Sequence, residues 1–400
     1  MNRILGYVTP VPAFCDAGEI YMQSASGRVA EALAEHYERV VVCAKVVQDA
    51  PPAPFDGPLN APNLEFVAQP LWGTTLESLP HFFGIARAYF RTCRRADVLF
   101  VRGMCPYIAV LYFCAAVLRK PICHWIVGDP ITLLRASTRK GPVLDTFAVL
   151  YALQDRLFTR LGRWLTNGAL ICNGSELARA YKSPRTVEVV SSTIRESEFY
   201  SRSDTCRGPV IRILFVGFLR PEKGIEYLLE AVSQFNKDLP WELEIVGPRE
   251  FPEYCKRLEG IAAERGIRER IRWSGYVPNG EPLFDCMRSA DLFVLPTLSE
   301  GTPHVLVEAR ANGLPCITTT VGGVPTTVTD GYDALLVPPK NSRALARAME
   351  RLIGDGELRR NLIRNGLMEA RKQTLDRFIA TALRELNWKS PAEGAVVPQE

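Results

Sequence analysis

Two cations stand in a glycine-bounded loop that directly follows a predicted strand. The apolar run Ile211–Val216 predicts the strand, and Gly217-Phe218-Leu219-Arg220-Pro221-Glu222-Lys223-Gly224 follows it. Glycine lets the backbone approach a ligand closely, and the helix predicted after Gly224 presents unpaired N–H groups to an anion. Arg220 can fork onto two phosphate oxygens, while Lys223 acts as a point charge. The loop therefore predicts a diphosphate site; the alternative is an ordinary strand–helix turn with a solvated surface pair.

Two glutamates follow a second predicted strand. The run Glu300-Gly301-Thr302-Pro303-His304-Val305-Leu306-Val307-Glu308 comes after the strand Leu292–Leu295, and Pro303 suits the first turn of a helix. Glu300 lies in the loop before that helix and Glu308 inside it, so a cleft could receive both, one near each end of an elongated ligand. Without further context such glutamates are surface residues, although the apolar neighbours of Glu308 favour a less solvated position.

A third loop is rich in glycine and also follows a predicted strand. Gly322-Gly323-Val324-Pro325 comes after Cys316–Thr319. Open α/β sheets bind ligands beyond the carboxyl ends of their strands. We therefore expect the three loops to converge on one crevice.

The elements that must position these loops alternate along the whole chain. In the first half, the predicted strands are Ile4–Val8, Val40–Cys43, Val98–Val101 and Ile122–Val127. In the second half, Leu243–Val246 joins the three strands already named. Helix-like stretches separate the strands, which predicts βαβ units and parallel sheets covered on both faces. The sequence thus predicts an α/β fold of two Rossmann-like domains, 1–205 and 206–372, joined near residues 201–209, with a tail at 390–400 that we expect to be disordered.

Composition excludes several classes of protein. The chain has 400 residues, 47% of them hydrophobic and 23% charged, which excludes collagen-like, coiled-coil and wholly disordered chains. The net charge of +4 is too mild to indicate nucleic acid. No GxGxxG follows the first strand, which argues against a hydride-transferring dehydrogenase.

The cysteines, histidines and apolar runs indicate which cellular compartment the protein occupies and whether it binds metal or spans a membrane. The 11 cysteines include no CxxC pair and the four histidines are scattered, so we expect reduced thiols, a cytoplasmic protein and no metal site. The longest apolar run, residues 107–118, is shorter than the roughly 20 residues that span a bilayer. The N-terminus lacks the long apolar core of a signal peptide. We expect the protein to be soluble, or at most to lie on the inner face of a membrane.

The second half resembles family 4 of the retaining glycosyltransferases, within the group called glycosyl transferases group 1. The resemblance covers residues 211 to about 345. It is carried by Phe215-Val216-Gly217, Arg220–Gly224, Gly275-Tyr276-Val277-Pro278, Ala290–Pro296, Glu300–Pro303 with Glu308-Ala309, Gly322-Gly323, Asp330-Gly331 and Leu335–Pro338. It implies the GT-B fold, in which two Rossmann-like domains face each other across a cleft, and a C-terminal helix, here 373–389, that crosses back to the first domain.

The resemblance also implies roles for the site residues. Arg220 and Lys223 would bind the donor diphosphate, Glu308 the ribose hydroxyls, and Glu300 the hydroxyls of the transferred sugar. The remaining donor-site residues would be Gly217, Tyr276, Val277, Gly301, Thr302, Pro303, His304 and Val305. No cofactor is implied beyond the nucleotide-sugar co-substrate, a UDP- or GDP-sugar, and no metal.

The first half departs more from the family pattern. The family often has a Gly-Gly pair in its first loop, where this chain reads Asp16-Ala17-Gly18-Glu19, and a histidine near Gly128-Asp129-Pro130. Gly18 as a donor-binding residue and Asp129 as a catalytic residue are therefore the candidates on this side. The implied acceptor is a glycan, lipid-linked glycans included. The alternatives are a sugar-nucleotide epimerase or phosphorylase of the same fold, and a non-catalytic nucleotide-sugar binding subunit.

A basic aromatic segment at 82–95 bears on where an acceptor might lie. Residues 81–165 carry 13 Arg and Lys against four Asp. Such a segment predicts contact with an anionic membrane surface. The alternative is a helix whose arginines face solvent and whose aromatic rings fill the core.

Overall fold

The computed structural model describes residues 3–22, 24–48, 56, 58–73, 77–128, 142–236 and 238–387. It contains two sheets, each covered by helices. The strands of the first sheet are β1 (Ile4–Val8), β2 (Ala13–Asp16), β3 (Glu19–Met22), β4 (Arg39–Val47), β5 (Leu64–Gln69), β6 (Val98–Arg102), β7 (Ile122–Ile126), β8 (Ala169–Asn173) and β9 (Thr186–Val189). Their order is β3-β2-β4-β1-β6-β7-β8-β9, with β5 also paired to β4.

Most of the first sheet is parallel, and its strands are apolar and buried. β1 pairs in parallel with both β4 and β6, so the strand order reverses between β1 and β6. A short antiparallel hairpin, β2–β3, extends the sheet beyond β4. The helices of this half are α1 (Ser24–Ala34), α2 (Phe82–Arg95), α3 (Ile108–Val117), α4 (Pro142–Thr166) and α5 (Ser175–Ala180).

The second sheet has six parallel strands in the order β12-β11-β10-β13-β14-β15. Its strands are β10 (Ile211–Val216), β11 (Trp241–Val246), β12 (Ile271–Gly275), β13 (Leu292–Leu295), β14 (Cys316–Thr319) and β15 (Leu335–Val337). Its helices are α6 (Ile225–Val232), α7 (Pro252–Glu264), α8 (Glu281–Ser289), α9 (His304–Ala311), α10 (Val324–Thr327), α11 (Ser342–Gly354) and α12 (Gly356–Ala370). The order reverses between β10 and β13, which is the arrangement of a Rossmann sheet.

The last helix, α13 (Leu375–Leu386), returns to the first sheet. Thr374 caps its N-terminus by accepting a hydrogen bond from the backbone N of Arg377. The ring of Phe378 lies 4.5 Å from the ring of Trp125 in β7, measured between centroids. Burial of Phe378 and its apolar neighbours in the core of the first half ties the two halves of the chain together.

The structure confirms an α/β fold with two parallel Rossmann-like sheets. It also differs from the sequence-based expectations. Seven strands were not predicted: the hairpin strands β2 and β3, together with β5, β8, β9, β12 and β15. In addition, β4 extends to Val47, and Pro303 lies before α9 at its N-cap rather than in its first turn. The polar segment 201–209 is bound to the second half, because the Arg202 guanidinium donates to the carbonyls of Met287 and Ala290, each at 2.8 Å.

Two further observations concern the cysteines and the helices. All 11 cysteines are free thiols. Within the described ranges, no helix combines the length and the apolar character needed to cross a bilayer.

Candidate functional site

The three loops singled out in the sequence meet at the carboxyl edge of the second sheet. They follow β10, β13 and β14, and β13 is the hydrogen-bonded neighbour of both β10 and β14. The site therefore lies at the point where the strand order reverses, which is where open α/β sheets bind ligands.

Two glycines allow these loops to touch. Gly224 has φ +62°, and a Cβ placed there would lie 2.4 Å from the carbonyl oxygen of Pro296. Gly322 has φ +48°, and a Cβ there would lie 1.9 Å from the carbonyl oxygen of Glu300. Both positions combine a left-handed backbone with direct backbone contact, so only glycine fits. The loop after β13 is thereby held between the other two.

The two predicted diphosphate ligands are each paired with a carboxylate. The Lys223 ammonium donates to Glu300, and both side chains are largely buried. The Arg220 guanidinium donates to Glu250 Oε2 from Nε at 2.9 Å and from Nη2 at 2.5 Å. Arg220 is more exposed, and its guanidinium carbon lies 4.8 Å from the centre of the Phe218 ring. A bound diphosphate would compete with Glu250 for Arg220.

Glu308 is a buried carboxylate on α9, 3% exposed. Thr193, just beyond β9, donates a hydrogen bond to its Oε1. Burial raises the pKa of Glu308 above its ordinary value, and the Thr193 hydroxyl opposes that rise. The next turn of α9 is fixed by Arg310, which is buried against Asp333. Glu308 is therefore a rigidly placed acceptor at the boundary between the two halves.

His304 and Thr302 lie where the loop after β13 meets the first half. His304 Nδ1 donates to the carbonyl oxygen of Ser191 at 2.5 Å, and burial lowers the His304 pKa. The ring is thus held neutral with Nε2 as its acceptor. The hydroxyl of Thr302 is buried and has no hydrogen-bond partner among the described residues. A Cβ on Gly174, at the end of β8, would lie 2.8 Å from that hydroxyl oxygen.

The segment 276–279, which follows β12, is hydrogen-bonded to the first half. The Tyr276 hydroxyl donates to Asp56 Oδ1 at 2.6 Å, and the backbone N of Asn279 donates to the same oxygen at 2.7 Å. Val277 is half-buried against the core of the second half. Asp56 is itself only 9% exposed. This segment is therefore held by one carboxylate from across the cleft.

Arg28 makes further contacts between the two halves. Arg28 of α1 donates to Glu198 and, at 3.3 Å, to Asn279 Oδ1. These side chains and Asp56 line a cavity of about 250 Å³. Both halves thus line one cavity, and Asn279 connects it to Glu308 by donating at 3.3 Å to the Thr193 hydroxyl.

The structure brings most of the predicted donor residues to one crevice. The loops and α9 carry Gly217, Arg220, Lys223, Glu300, Gly301, Thr302, Pro303, His304, Val305 and Glu308, with Tyr276 and Val277 after β12. Gly18 instead lies in the exposed turn of the hairpin β2–β3, and no atom lies within 4 Å of the position of a Cβ there. Asp129 and the tail 390–400 lie outside the described residues.

Sequence reasoning missed several residues around the site. Asn279 of the second half follows the quoted Gly275–Pro278 directly, and Ser191 and Thr193 of the first half follow the end of a strand, so position alone could have suggested these three. Nothing in the sequence marked Asp56 or Arg28.

The described residues include no group of three or more His, Cys, Asp or Glu side chains arranged to hold a metal ion. The arrangement can bind an anion through Arg220 and Lys223, and hydroxyl groups through the carboxylates of Glu300 and Glu308.

Comparison with known proteins identifies the second half. Residues 198–368 match the family model described as "Glycosyl transferases group 1". The D-inositol 3-phosphate glycosyltransferase of Corynebacterium glutamicum (strain R) is 33% identical over 166 residues, which are 40% of this chain and 39% of that protein. The chain thus matches about two fifths of the length of this relative. Residues 198–368 are therefore similar to a glycosyl transferases group 1 domain.

Solved structures resemble the whole chain. Sucrose-phosphate synthase from Thermosynechococcus elongatus has a TM-score of 0.70 at 19% identity and covers 96% of this chain and 97% of its own. HepE of Anabaena in complex with UDP has a TM-score of 0.67 at 16% identity, covering 95% of this chain and 99% of its own. The two facing Rossmann-like sheets are the GT-B fold of glycosyltransferases.

Proposed function

We propose that this protein transfers a sugar from a nucleoside-diphosphate donor to a glycan acceptor, with retention at the anomeric carbon. The observation that carries the proposal is the edge of the second sheet at the β10–β13 reversal, where Lys223 pairs with Glu300 and α9 carries the buried Glu308, within residues that match the glycosyl transferases group 1 model. The relatives named as glycosyltransferases favour transfer over the epimerase, phosphorylase and binding-subunit alternatives.

Arg220 and Lys223 would stabilise the leaving diphosphate. Cleavage of the bond from the anomeric carbon to the diphosphate increases negative charge on the phosphate and makes the sugar oxocarbenium-like. At an effective dielectric constant near 20, a cation about 4 Å from a phosphate oxygen contributes roughly 4 kcal/mol before desolvation. The N-terminus of α6 adds a favourable dipole. These charges would supply what a metal ion otherwise provides, so we propose a metal-independent reaction.

The carboxylates would position the donor. Glu308 would accept hydrogen bonds from the ribose hydroxyls, for which the donor must displace Thr193. Glu300 would accept from hydroxyls of the transferred sugar while staying near Lys223. We propose attack on the same face that the diphosphate leaves, with the departing phosphate taking the acceptor proton.

The donor base is proposed to be uracil or guanine. The UDP complex of HepE, a protein of the same fold, supports the first. A lipid-linked glycan is the acceptor we favour, because the first half presents an exposed apolar surface bordered by arginines, described below. Such an acceptor would place the protein in the cytoplasm, at the inner face of the membrane.

A thermal-shift screen of UDP, GDP, ADP and their sugars would identify the donor. A ligand at about 100 times its dissociation constant adds about 2.7 kcal/mol to the free energy of unfolding. Transfer from that donor is then measured with Lys223→Met and Glu308→Gln. We expect losses on the order of 100- to 1,000-fold for Lys223→Met.

Lys256→Met is the matched control, because Lys256 is a lysine of α7 that is 72% exposed and pairs only with Glu253 among the described residues. Turnover of Lys223→Met and Glu308→Gln at the level of this control would contradict the proposal. Loss of activity in EDTA that added metal restores would contradict metal independence.

A further inference from the structure

Helix α4 has its polarity reversed. The face that packs against the protein carries Ala152, Asp155, Thr159 and Gly162, all of them buried. Gly162 lets the helix approach α3 so closely that a Cβ there would lie 2.1 Å from the ring of Tyr112. A helix on a protein in water normally buries its large apolar residues, whereas the fully buried positions of this helix are small or polar and its Phe158 is only partly buried.

The opposite face of α4 carries large apolar side chains. They form one stripe at helical spacing, consisting of Leu150, Leu153, Leu157, Leu161, Trp164 and Leu165. Each of these six side chains is between 46% and 71% exposed. On the neighbouring helix α3, Phe113 is 66% exposed and Val117 is 61% exposed. This apolar stripe, the six residues of α4, is far larger than the single exposed apolar residues common on protein surfaces.

Basic residues border the apolar stripe. At 100° per residue, Arg156, Arg160 and Arg163 fall together along one side of it, between the stripe and the buried face. From residue 149 to 166 the one acidic residue is Asp155, which points inward. The surface is therefore apolar at its centre and positive at its border.

We propose that the apolar stripe of α4 lies on an anionic lipid bilayer. An apolar face with an arginine border matches the interfacial position of an amphipathic helix, in which leucine and tryptophan enter the boundary between headgroups and acyl chains. The arginines then contact anionic headgroups. No described helix is apolar enough to span the bilayer, so α4 lies along its surface.

Charge argues against an antiparallel pair of two copies of this chain as the occupant. The arginines lie along one side of the stripe, so antiparallel symmetric pairing would bring the two arginine borders together, and like charges repel. A bilayer of anionic lipid meets the same border with opposite charge.

Helix α2, beside α3, extends the basic surface but contributes less apolar area. Its inward face buries Ile85, Ala88, Tyr89 and Cys93. This agrees with the alternative given for segment 82–95, a helix that packs one face on the core and turns its arginines to solvent. Phe83 nevertheless is 83% exposed, close to Arg87 on the outer face. The membrane surface is thus centred on α4, which the sequence did not single out, with α2 at its edge. The inference does not depend on the proposed transfer reaction.

Flotation of the full chain with vesicles tests the inference. The probes are vesicles of phosphatidylcholine with about 30% phosphatidylglycerol and vesicles of phosphatidylcholine alone. We expect flotation with the anionic vesicles at low salt, less as ionic strength rises, and less with neutral vesicles. The double variant Leu157→Ser/Leu161→Ser is expected to bind at least about tenfold more weakly.

Matched controls separate this surface from general effects. Tyr332→Ser/Met368→Ser removes two exposed apolar side chains from the second half, and should float like the wild type. Arg160→Gln/Arg163→Gln should weaken binding to anionic vesicles, whereas Arg343→Gln/Arg347→Gln, with the same loss of charge on exposed positions of α11, should not. An unchanged melting temperature shows that each variant is folded.

Three results would overturn the inference. The first is that the wild type does not float with anionic vesicles at low salt. The second is that the Leu157→Ser/Leu161→Ser variant floats as well as the wild type. The third is that light scattering shows a dimer of the wild type that this variant abolishes, while vesicles capture neither protein.

Discussion

Replacing Glu250 by glutamine should tighten the binding of the donor. Glu250 accepts two hydrogen bonds from the Arg220 guanidinium, the group proposed to hold the diphosphate. Glutamine keeps the size of the side chain and removes its charge. Phe218 still lies under the guanidinium, so Arg220 should keep its position when the carboxylate is gone.

The expected gain is modest, because both partners are 37% exposed. Ion pairs at such positions contribute about 0.2–1 kcal/mol, since water and salt screen them. A diphosphate that no longer competes with Glu250 recovers at most that energy. We therefore expect the dissociation constant to fall by up to about fivefold.

Isothermal titration with UDP, or with the nucleotide that the thermal-shift screen selects, measures this gain at about 50 mM and 500 mM salt. The gain should shrink at the higher salt concentration. Glu253→Gln is the matched control, because Glu253 lies three residues further on, is 87% exposed and pairs with Lys256. The reasoning is refuted if Glu250→Gln binds no more tightly than Glu253→Gln.

Three further predictions concern stability. Gly224→Ala should lower the free energy of unfolding in urea by at least about 2 kcal/mol, because the backbone there is left-handed and a Cβ would collide with the Pro296 carbonyl oxygen. Gly260→Ala is the control: Gly260 lies in a helix with no atom within 4 Å of the position of a Cβ, so the change should be neutral or stabilising. Burial raises the pKa of Asp155 to about 6, so the folded state binds more protons than the unfolded state and stability falls as pH rises from about 4 to 6. Asp155→Asn should therefore stabilise by up to about 3 kcal/mol at pH 7.5 and not at pH 4, and an equal effect at both would contradict this. Arg28→Ala should destabilise by about 1–3 kcal/mol, because it leaves Glu198 partly buried without its cation, and an unchanged urea midpoint would contradict this.

The sequence was sufficient for three strands of the second sheet that are short, apolar and followed by a breaker, but β8 and β15 share these features and were not predicted. Residues 211–216, 292–295 and 316–319 form strands with the predicted bounds, because each run is buried and followed by Gly, Pro or Thr. The prediction for β4 stopped at Cys43, since Ala44-Lys45 breaks the β-branched run. In the structure β5 pairs with β4 as far as Lys45, and β2 pairs with Val46 and Val47, so the strand is longer.

The site was predictable as far as it depends on loops that follow strands. The pairing of Lys223 with Glu300 follows from two adjacent parallel strands, β10 and β13, whose carboxyl ends must meet. The contact of Asp56 with Tyr276 joins residues 220 positions apart, and a single sequence carries no signal of such proximity. The reversed polarity of α4 was also hidden, because sequence periodicity shows an apolar face but not which side of it meets the protein.

A crystal structure of the complex with the selected nucleotide sugar tests the central claim most directly. The account predicts that the diphosphate lies against Arg220 and Lys223 at the start of α6, with the ribose hydroxyls on Glu308. A nucleotide sugar bound elsewhere, with Arg220 still on Glu250 and Lys223 still on Glu300, would contradict it.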